Sequence, residues 1–522
     1  MSAPTLSRGG GLVRAAVITV VITLSGSMLG LVRDLLVARY FGADGGTDAF
    51  LVAWTVPETA FPLVVEGAMA FFLVPMFSRA LTAGRDPREV VAATMPRIVA
   101  VLSLASIAVA VFAPWIVRLI APGLSDPQLA VTCTRFTALT ILTFGVAGYV
   151  SAALRARHIF GAPATIHLAY NVGILALIWS LHARYGIVSA AAGVALGGVL
   201  MVAAQLPSFL RHVGLPARLR LRTASMVTLG AFAPLAVYTL SRQAQVFVER
   251  FLGSHLEPGT ISHLNYAQKV AQLPMLVALL VCTVTFPTLA RTVAAKQKNE
   301  ARRRLSTDLR TVTALIFVAA AYLVVFAPTI IALLLEHGEF TAADTAATAA
   351  IMRVYAFGLF GHAMVGVLCR PFFTGERPSW FPAAAMAVGL ATNAVVAIVA
   401  VPHFGGPAIA AANGAGITVT AVLMLIGTRR RVIEVSLPAL GAATARLGLA
   451  AAGAAAAGFA IGRATAGLPH SVVALAGGVT MLVAFLALAH LLGVREVAQL
   501  ASRLASQLAS RLGRKAGRGN EN

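Results

Sequence analysis

Runs of about 20 apolar residues recur along the whole chain, interrupted by charged residues, proline and glycine. A helix needs about 20 such residues to cross the hydrocarbon core of a bilayer. Of the 522 residues, 58% are hydrophobic and only 11% are charged, so a soluble fold of this length would lack polar surface to face water. The sequence therefore predicts an all-α integral membrane protein and argues against a soluble enzyme.

We predict about 14 transmembrane helices. The second is unusual, because Pro57 and Pro62 would kink or break it and free backbone groups that must find partners inside the membrane. The predicted spans are 11–32, 49–77, 92–119, 130–154, 160–181, 186–208, 224–249, 266–290, 311–335, 345–369, 380–402, 406–428, 437–462 and 470–492.

The basic residues predict the orientation, because short cytoplasmic loops carry an excess of Lys and Arg. With the N-terminus inside, most of the 41 basic residues fall on the cytoplasmic side. Only six fall between spans on the other side: Arg33, Arg39, Arg118, Arg184, Arg250 and Arg463. We therefore expect a multi-pass protein of the bacterial cytoplasmic membrane with both termini in the cytoplasm. The net charge of +22 is then a topology signal rather than a sign of nucleic-acid binding.

An internal repeat divides the first twelve spans into two groups of six. Nearly constant offsets of 211 to 215 residues relate the pairs Arg39/Arg250, Trp54/Tyr266, Pro62/Pro274, Pro75/Pro287, Arg79/Arg291, Gly123/Gly338, Arg155/Arg370 and Pro163/Pro378. Six is an even number of spans, so the repeat is parallel. We predict an N-lobe (1–222, helices 1–6), a C-lobe (223–431, helices 7–12), two further helices (432–493) and an amphipathic basic tail on the inner membrane surface (494–522).

Enzyme and metal signatures are missing from the sequence. No lysine follows a glycine, so the chain has no Walker A motif, and no His-x-x-x-His pair occurs. Cys133, Cys282 and Cys369 are far apart and have no metal-like spacing. We expect no catalytic residues, no metal site and no cofactor, and an energy source such as an ion gradient or the membrane potential.

Two lobes of this kind usually enclose a site that opens to one side at a time, and charges in membrane spans tend to face such a cavity. For substrate binding we select Arg33, Arg39, Asp48, Glu66 and Lys269, and for gating or ion coupling Asp34, Glu58, Glu249, Arg250 and Asn393. Cationic side chains suit a phosphate or pyrophosphate. Some have plainer interpretations: Arg33 and Asp34 as an interfacial ion pair, Lys269 snorkelling to the surface, and Asn171 and Asn393 as interhelical hydrogen-bonding groups.

The charged motifs resemble those of the MurJ/MviN family of lipid II flippases. The resemblance rests on Leu29-Gly30-Leu31-Val32-Arg33-Asp34, Ala38-Arg39-Tyr40-Phe41-Gly42-Ala43, Thr47-Asp48-Ala49-Phe50, Glu66-Gly67-Ala68, Asn265-Tyr266-Ala267, Phe286-Pro287 and Gly338-Glu339-Phe340-Thr341. It implies a fold in which fourteen helices surround a cavity between two lobes. It also implies a substrate, a polyprenyl-pyrophosphate-linked peptidoglycan precursor moved between leaflets, with cavity Arg and Asp residues at Arg33 and Asp48.

The sequence departs from the family pattern at several of these positions. Ser27 and Phe61 stand where the resemblance implies cavity arginines, Lys269 replaces an Arg, and Glu58 replaces an Asn. Some relatives bind Na⁺ between spans 7 and 11, for which Glu249 and Asn393 would be remnants, although Ala397 offers no carboxylate. The identity of the headgroup is therefore open.

We expect a lipid II flippase that works by alternating access. One alternative is a divergent paralogue that exports another lipid-linked glycan or an amphipathic metabolite. Another is a non-transporting scaffold of the wall-synthesis machinery. Expected partners are the lipid-linked precursor, membrane lipids and, for either role, cell-wall synthesis or division proteins.

Overall fold

A computed structural model describes residues 8–216, 233–276, 278, 292, 297–373 and 379–494. Its helices are α1 (Arg8–Phe41), α2 (Gly45–Ala60), a π-helix (Phe61–Ala68), α3 (Met69–Thr82), α4 (Pro87–Val111), α5 (Ala113–Ile120), α6 (Pro127–Ala156), α7 (Gly161–Ala164), α8 (Ile166–Tyr185), α9 (Val188–His212), α10 (Ala233–Gly253), α11 (Thr260–Ala271), α12 (Lys298–Val325), α13 (Ala327–Leu335), α14 (Ala342–Leu368), a 3₁₀ turn (Arg370–Phe373), α15 (Phe381–Phe404), α16 (Gly406–Arg431), α17 (Leu437–Ala464) and α18 (His470–Leu491). The ranges above contain no strand.

The all-α membrane class is confirmed. Eleven helices in the described ranges are long and apolar enough to cross a membrane. They correspond to the predicted spans 2–6 and 9–14. The predicted spans 1, 7 and 8 overlap α1, α10 and α11 in part, and large parts of spans 7 and 8 lie outside the described residues. Helix α1 continues to Phe41, nine residues beyond the predicted end of the first span at residue 32. Arg33 and Asp34 lie within this helix and pair with each other.

Several helices begin at an aspartate whose side chain accepts a hydrogen bond from the first turn. Asp44 accepts from the N–H of Thr47 at 2.7 Å at the start of α2, and Asp126 accepts from the N–H of Leu129 at 2.9 Å at the start of α6. Asp86 does the same for α4. These carboxylates satisfy N–H groups that have no partner within the helix. Polar loop residues thus fix where the apolar helices begin.

The chain packs into two compact units. The first unit contains the chain up to His263 together with Leu335–Asp344. The second unit contains Leu264–Leu334 and the chain from Thr345 onward. In the first unit, α2, α5, α6, α8 and α9 share an apolar core that includes Phe50 and Trp54. Helices α8 and α9 approach closely, since a Cβ placed on Gly173 would lie 2.6 Å from the Cα of Gly197. The lobe limits at 222 and 431 and the limit at 493 stay predictions, and the tail predicted from 494 lies outside the described residues except for Val494.

One helix break occurs twice and was missed in the sequence. Helix α4 ends just before Phe112, and α5 starts with Ala113-Pro114. In the same way, α12 ends just before Phe326, and α13 starts with Ala327-Pro328. Both phenylalanines leave the helical region in the same way, with ψ of 9° and 20°. The separation of 214 residues agrees with the offsets of the predicted repeat.

Candidate functional site

Asp48 is a buried carboxylate that binds the start of another helix. Its Oδ2 accepts the N–H of Gly259 at 2.7 Å. Its Oδ1 accepts both the N–H of Ser262 at 2.7 Å and the Ser262 hydroxyl at 2.6 Å. Only 3% of Asp48 is exposed. Asp48 therefore caps α11, and the N-terminal ends of both α2 and α11 favour its negative charge.

A second contact of the first unit lies nearby in sequence. The N–H of Glu339 donates to the carbonyl of Arg39 at 2.9 Å. Gly42 and Gly338 both have left-handed backbone, with φ of 64° and 66°. A Cβ on Gly42 would lie 2.7 Å from the carbonyl oxygen of Glu339, and one on Gly338 would overlap the carbonyl oxygen of Arg39. Glycine at both positions lets segment 335–344 touch the end of α1.

The same segment ends in an acidic residue beside a histidine. Asp344 Oδ2 accepts the N–H and the hydroxyl of Thr341, each at 2.8 Å. Its Oδ1 lies 3.7 Å from Nε2 of His263, which follows Ser262. His263 thus adds a second polar contact beside the one made by Asp48.

Arg33 is engaged on three sides. Its Nε and Nη2 donate to Oδ1 of Asp34 at 2.9 and 2.7 Å, and its Nη1 donates to Oδ1 of Asn171 at 3.0 Å. The guanidinium carbon also lies 4.5 Å from the ring centroid of Trp54. The predicted Arg33–Asp34 ion pair is therefore present in this structure. An anionic substrate would compete with it for the same guanidinium.

Asn171 links α8 to α1, as the sequence predicted for an interhelical hydrogen-bonding group. Its Nδ2 donates to the carbonyl of Gly26 at 3.1 Å and to that of His167 at 2.9 Å. The same side chain thus holds the Gly26 backbone and the Arg33 guanidinium. Asn171 is a positioning residue for Arg33 that charge patterns do not reveal.

We expect Arg33→Lys to lower the free energy of unfolding by about 1–2 kcal/mol, because an ammonium cannot reach Asp34 and Asn171 together and stacks less well on Trp54. Thermal unfolding of the detergent-purified protein measures this effect. Arg242→Lys is the matched control, since Arg242 is exposed on α10. Equal stability of the two variants would contradict the assigned role of the planar guanidinium.

Buried Arg250 and half-buried Glu58 form a second charged group. Arg250 Nη2 lies 3.9 Å from Glu58 Oε2, and Arg250 is only 2% exposed. Neither Nε nor Nη1 of Arg250 has a hydrogen-bond partner among the described residues. Glu249 beside it is also buried, at 3% exposure. The predicted gating residues Glu58 and Arg250 therefore do lie together.

The other predicted site residues are placed as follows. The side chain of Arg39 is exposed, and its carbonyl makes the contact with Glu339. Lys269 is half-buried on α11 and belongs to the second unit. Glu66 lies in the π-helix, and its side chain is outside the described part of the structure. The roles assigned to these three residues in substrate binding stay predictions.

Phe61 stands in an aromatic cluster. Its ring centroid lies 5.4 Å from that of Phe144, nearly perpendicular to it, and 5.2 Å from the imidazole of His167. Ser27, the other position where the resemblance implies an arginine, is exposed. The departure at Phe61 is thus part of a packed apolar arrangement rather than an isolated substitution.

The interhelical hydrogen bond expected of Asn393 is absent among the residues that the structure describes. Asn393 is fully buried on α15, and neither atom of its amide has a partner in the part of the chain that the structure describes. It faces Gly416 of α16, whose carbonyl accepts the Thr420 hydroxyl at 3.0 Å. A glycine has no side chain that could form a hydrogen bond with this amide. Within the described residues, no group of three His, Cys, Asp or Glu side chains is arranged to hold a metal ion.

Sequence reasoning selected Asp48 but missed its partners. Gly259 and Ser262 lie more than 200 residues away along the chain. A local signal was available, because Pro258-Gly259-Thr260-Ile261-Ser262 resembles a helix start that lacks its own acidic cap. That signal does not indicate which carboxylate supplies the cap.

The chain is similar to known proteins over most of its length. The family described as "Lipid II flippase MurJ" matches residues 37–495. The lipid II flippase MurJ of Burkholderia cenocepacia is 28% identical over 424 residues, which are 78% of this chain and 82% of that protein. The probable lipid II flippase MurJ of Vibrio cholerae is 25% identical over 408 residues, or 74% and 78% of the two chains.

Solved structures show the same fold. A lipid II flippase MurJ in an inward closed conformation superimposes with a TM-score of 0.76 at 21% identity, covering 91% of this chain and 98% of that chain. An inward-facing multidrug transporter of the MATE family superimposes with a TM-score of 0.62 at 13% identity, covering 82% and 99%. Because the family match extends over most of the chain, the protein belongs to the lipid II flippase MurJ family.

Proposed function

We propose that this protein moves a polyprenyl-pyrophosphate-linked peptidoglycan precursor, lipid II, from the inner to the outer leaflet of the bacterial cytoplasmic membrane. The observation that carries the proposal is the buried Asp48 carboxylate bound to the start of α11, in a chain of the lipid II flippase MurJ family. In this proposal, these hydrogen bonds hold one side of the transporter closed, and water replaces them when that side opens.

The charge pattern supports the orientation in the membrane that this proposal requires. With both termini in the cytoplasm, as the positive-inside count predicts, the Gly45 end of α2 faces outward. Asp48, Gly259 and segment 335–344 then form the outer closure. The substrate would enter from the inner leaflet, with its charged headgroup among the protein's cations and its polyprenyl chain in lipid. In the same proposal Arg33 leaves Asp34 for the pyrophosphate, because a guanidinium binds phosphate oxygens with two parallel hydrogen bonds.

No nucleotide-binding motif supplies energy, so we propose coupling to an ion gradient, the membrane potential or consumption of the precursor outside. Cell-wall synthesis or division proteins would be the consumers. Replacing the Na⁺ of the medium with K⁺, and separately collapsing the membrane potential, distinguishes these sources in intact cells.

The test is depletion of the protein in its native host, followed by mass analysis of polyprenyl-linked intermediates. We expect lipid II to accumulate in the inner leaflet, and we expect the combined variant Arg33→Ala, Asp48→Ala and Glu66→Ala to fail to restore transport at normal abundance. If lipid II accumulates on depletion but the combined variant still restores the wild-type phenotype, the protein is a scaffold that tolerates these substitutions. Normal lipid II levels would overturn the proposal.

A second candidate is export of a different lipid-linked glycan, and it is favoured by Phe61. The aromatic contacts of Phe61 with Phe144 and His167 occupy a position where the family resemblance implies a cation. Accumulation of a different polyprenyl-linked lipid in the same experiment would select this candidate.

A further inference from the structure

Pro57 and Pro62 leave two backbone carbonyls of the second span without their helical donors. In an α-helix each carbonyl accepts the N–H four residues later. Pro57 and Pro62 have no N–H, so the carbonyls of Ala53 and Glu58 cannot receive that bond. Inside a membrane such groups must be satisfied by other helices.

Two side chains from neighbouring helices replace the missing donors. The Thr137 hydroxyl of α6 lies 3.0 Å from the carbonyl of Ala53, and also 3.2 Å from that of Thr134 in its own helix. The Gln243 side chain of α10 donates through Nε2 to the carbonyl of Glu58 at 2.8 Å. The two donors differ in burial: Thr137 is fully buried in the apolar core, and Gln243 is half-buried.

Gln243 lies on the same face of α10 as Arg250, two turns away, because residues separated by seven positions are nearly aligned on a helix. Arg250 is the residue beside the Glu58 carboxylate, with Nη2 3.9 Å from Oε2. One face of α10 thus contacts Glu58 twice, through its backbone carbonyl and through its side chain. The contact comes directly before the π-helix Phe61–Ala68, a geometry frequent at functional sites.

We infer that Gln243 is a positioning residue that holds Glu58 against α10 and thereby keeps the outer side closed. This inference rests on the proposed function and adds to it that α10 and α2 separate when the transporter opens outward. On separation the Glu58 carbonyl loses its donor and Arg250 loses the neighbouring carboxylate. Thr137 keeps its contact, because α6 and α2 remain packed together. The Gln243 amide therefore sets how often the outer side opens, whereas Thr137 only completes the helix.

The experiment measures opening without substrate. A single reporter, Ser254→Cys, is placed in a background carrying Cys133→Ala, Cys282→Ala and Cys369→Ala. Ser254 is 5% exposed at the end of α10, where its hydroxyl oxygen accepts the N–H of Gly123 at 3.2 Å. A membrane-impermeant maleimide is added to intact cells, and the labelling rate is normalised to the amount of full-length protein.

We expect Gln243→Met, which keeps the length of the side chain but removes the donor, to raise the labelling rate about three- to ten-fold, the range that corresponds to the loss of one neutral hydrogen bond. Thr137→Val, which removes the other replacement donor, should leave the rate unchanged. Gln243→Asn serves as a second variant should Gln243→Met accumulate poorly, because its shorter amide cannot reach the carbonyl of Glu58.

An unchanged rate in both Gln243 variants overturns the inference. An equal rise with Thr137→Val also overturns it, since the effect would then reflect general weakening of the second span. The labelling result does not depend on the identity of the transported lipid. Failure of lipid II to accumulate on depletion would therefore overturn the proposed function and leave the role of Gln243 standing.

Discussion

Asp48→Asn is expected to abolish transport at normal protein abundance. One oxygen of the carboxylate becomes an NH₂ group, so either Gly259 or Ser262 faces a donor instead of an acceptor. Loss of a charged acceptor in a buried site costs about 2–4 kcal/mol, and each 1.4 kcal/mol changes an equilibrium about tenfold. The closed outer arrangement would be disfavoured strongly enough to prevent return of the transporter to the inward side. Restoration of growth and of lipid II export in a depletion strain measures this outcome.

Asp44→Asn is the matched control for this substitution. Asp44 is exposed, lies one turn before Asp48 and caps only its own helix through the N–H of Thr47. Asparagine is as good an N-cap residue as aspartate, so transport should remain near the wild-type level. Transport at the wild-type level by the Asp48→Asn variant would show that outer closure does not require the Asp48 carboxylate.

Gly338→Ala should have the second large effect, a loss of about 2–5 kcal/mol of folding free energy. Left-handed backbone costs a residue with a Cβ about 1–2 kcal/mol, and overpacking against a fixed neighbour typically costs 1–3 kcal/mol more. The added Cβ would overlap the carbonyl oxygen of Arg39, which cannot rotate away as a side chain could. The hydrogen bond from the N–H of Glu339 to that carbonyl would be lost. Thermal unfolding in detergent measures the change.

Gly84→Ala separates the two contributions. Gly84 has the same φ of 66°, and nothing lies within 4 Å of the position where its Cβ would be. This variant therefore carries the backbone cost alone, about 1–2 kcal/mol. Equal losses of stability at Gly84 and Gly338 would show that the approach of segment 335–344 to α1 does not depend on glycine.

The sequence predicts the apolar helices well, because the bilayer imposes a length and a polarity on every span. It also predicts that Pro57 and Pro62 free backbone groups, since proline lacks an N–H whatever its surroundings. It does not reveal that Thr137 and Gln243 satisfy those groups. These donors come from other helices, and nothing in the local pattern specifies which polar side chain will be opposite.

The same limit applies to the charged residues. The spacing of Arg33 and Asp34 indicates an ion pair, and Asn171 is polar in an apolar span, so both interactions follow from local rules. The partners of Asp48 are set by tertiary packing over more than 200 residues. Asn393 shows the converse, because a buried amide predicts a hydrogen bond that the glycine opposite it does not supply.

The inclusion of Leu335–Asp344 in the first unit has a consequence for biosynthesis. When residue 263 leaves the ribosome, the segment that contacts Arg39 and His263 has not yet been made. At translation rates of about 5–20 residues per second, the first unit waits on the order of ten seconds for its last part. During that interval it is exposed to quality-control proteases and insertion factors, so nascent chains arrested between 263 and 335 should be degraded faster than those arrested beyond 344.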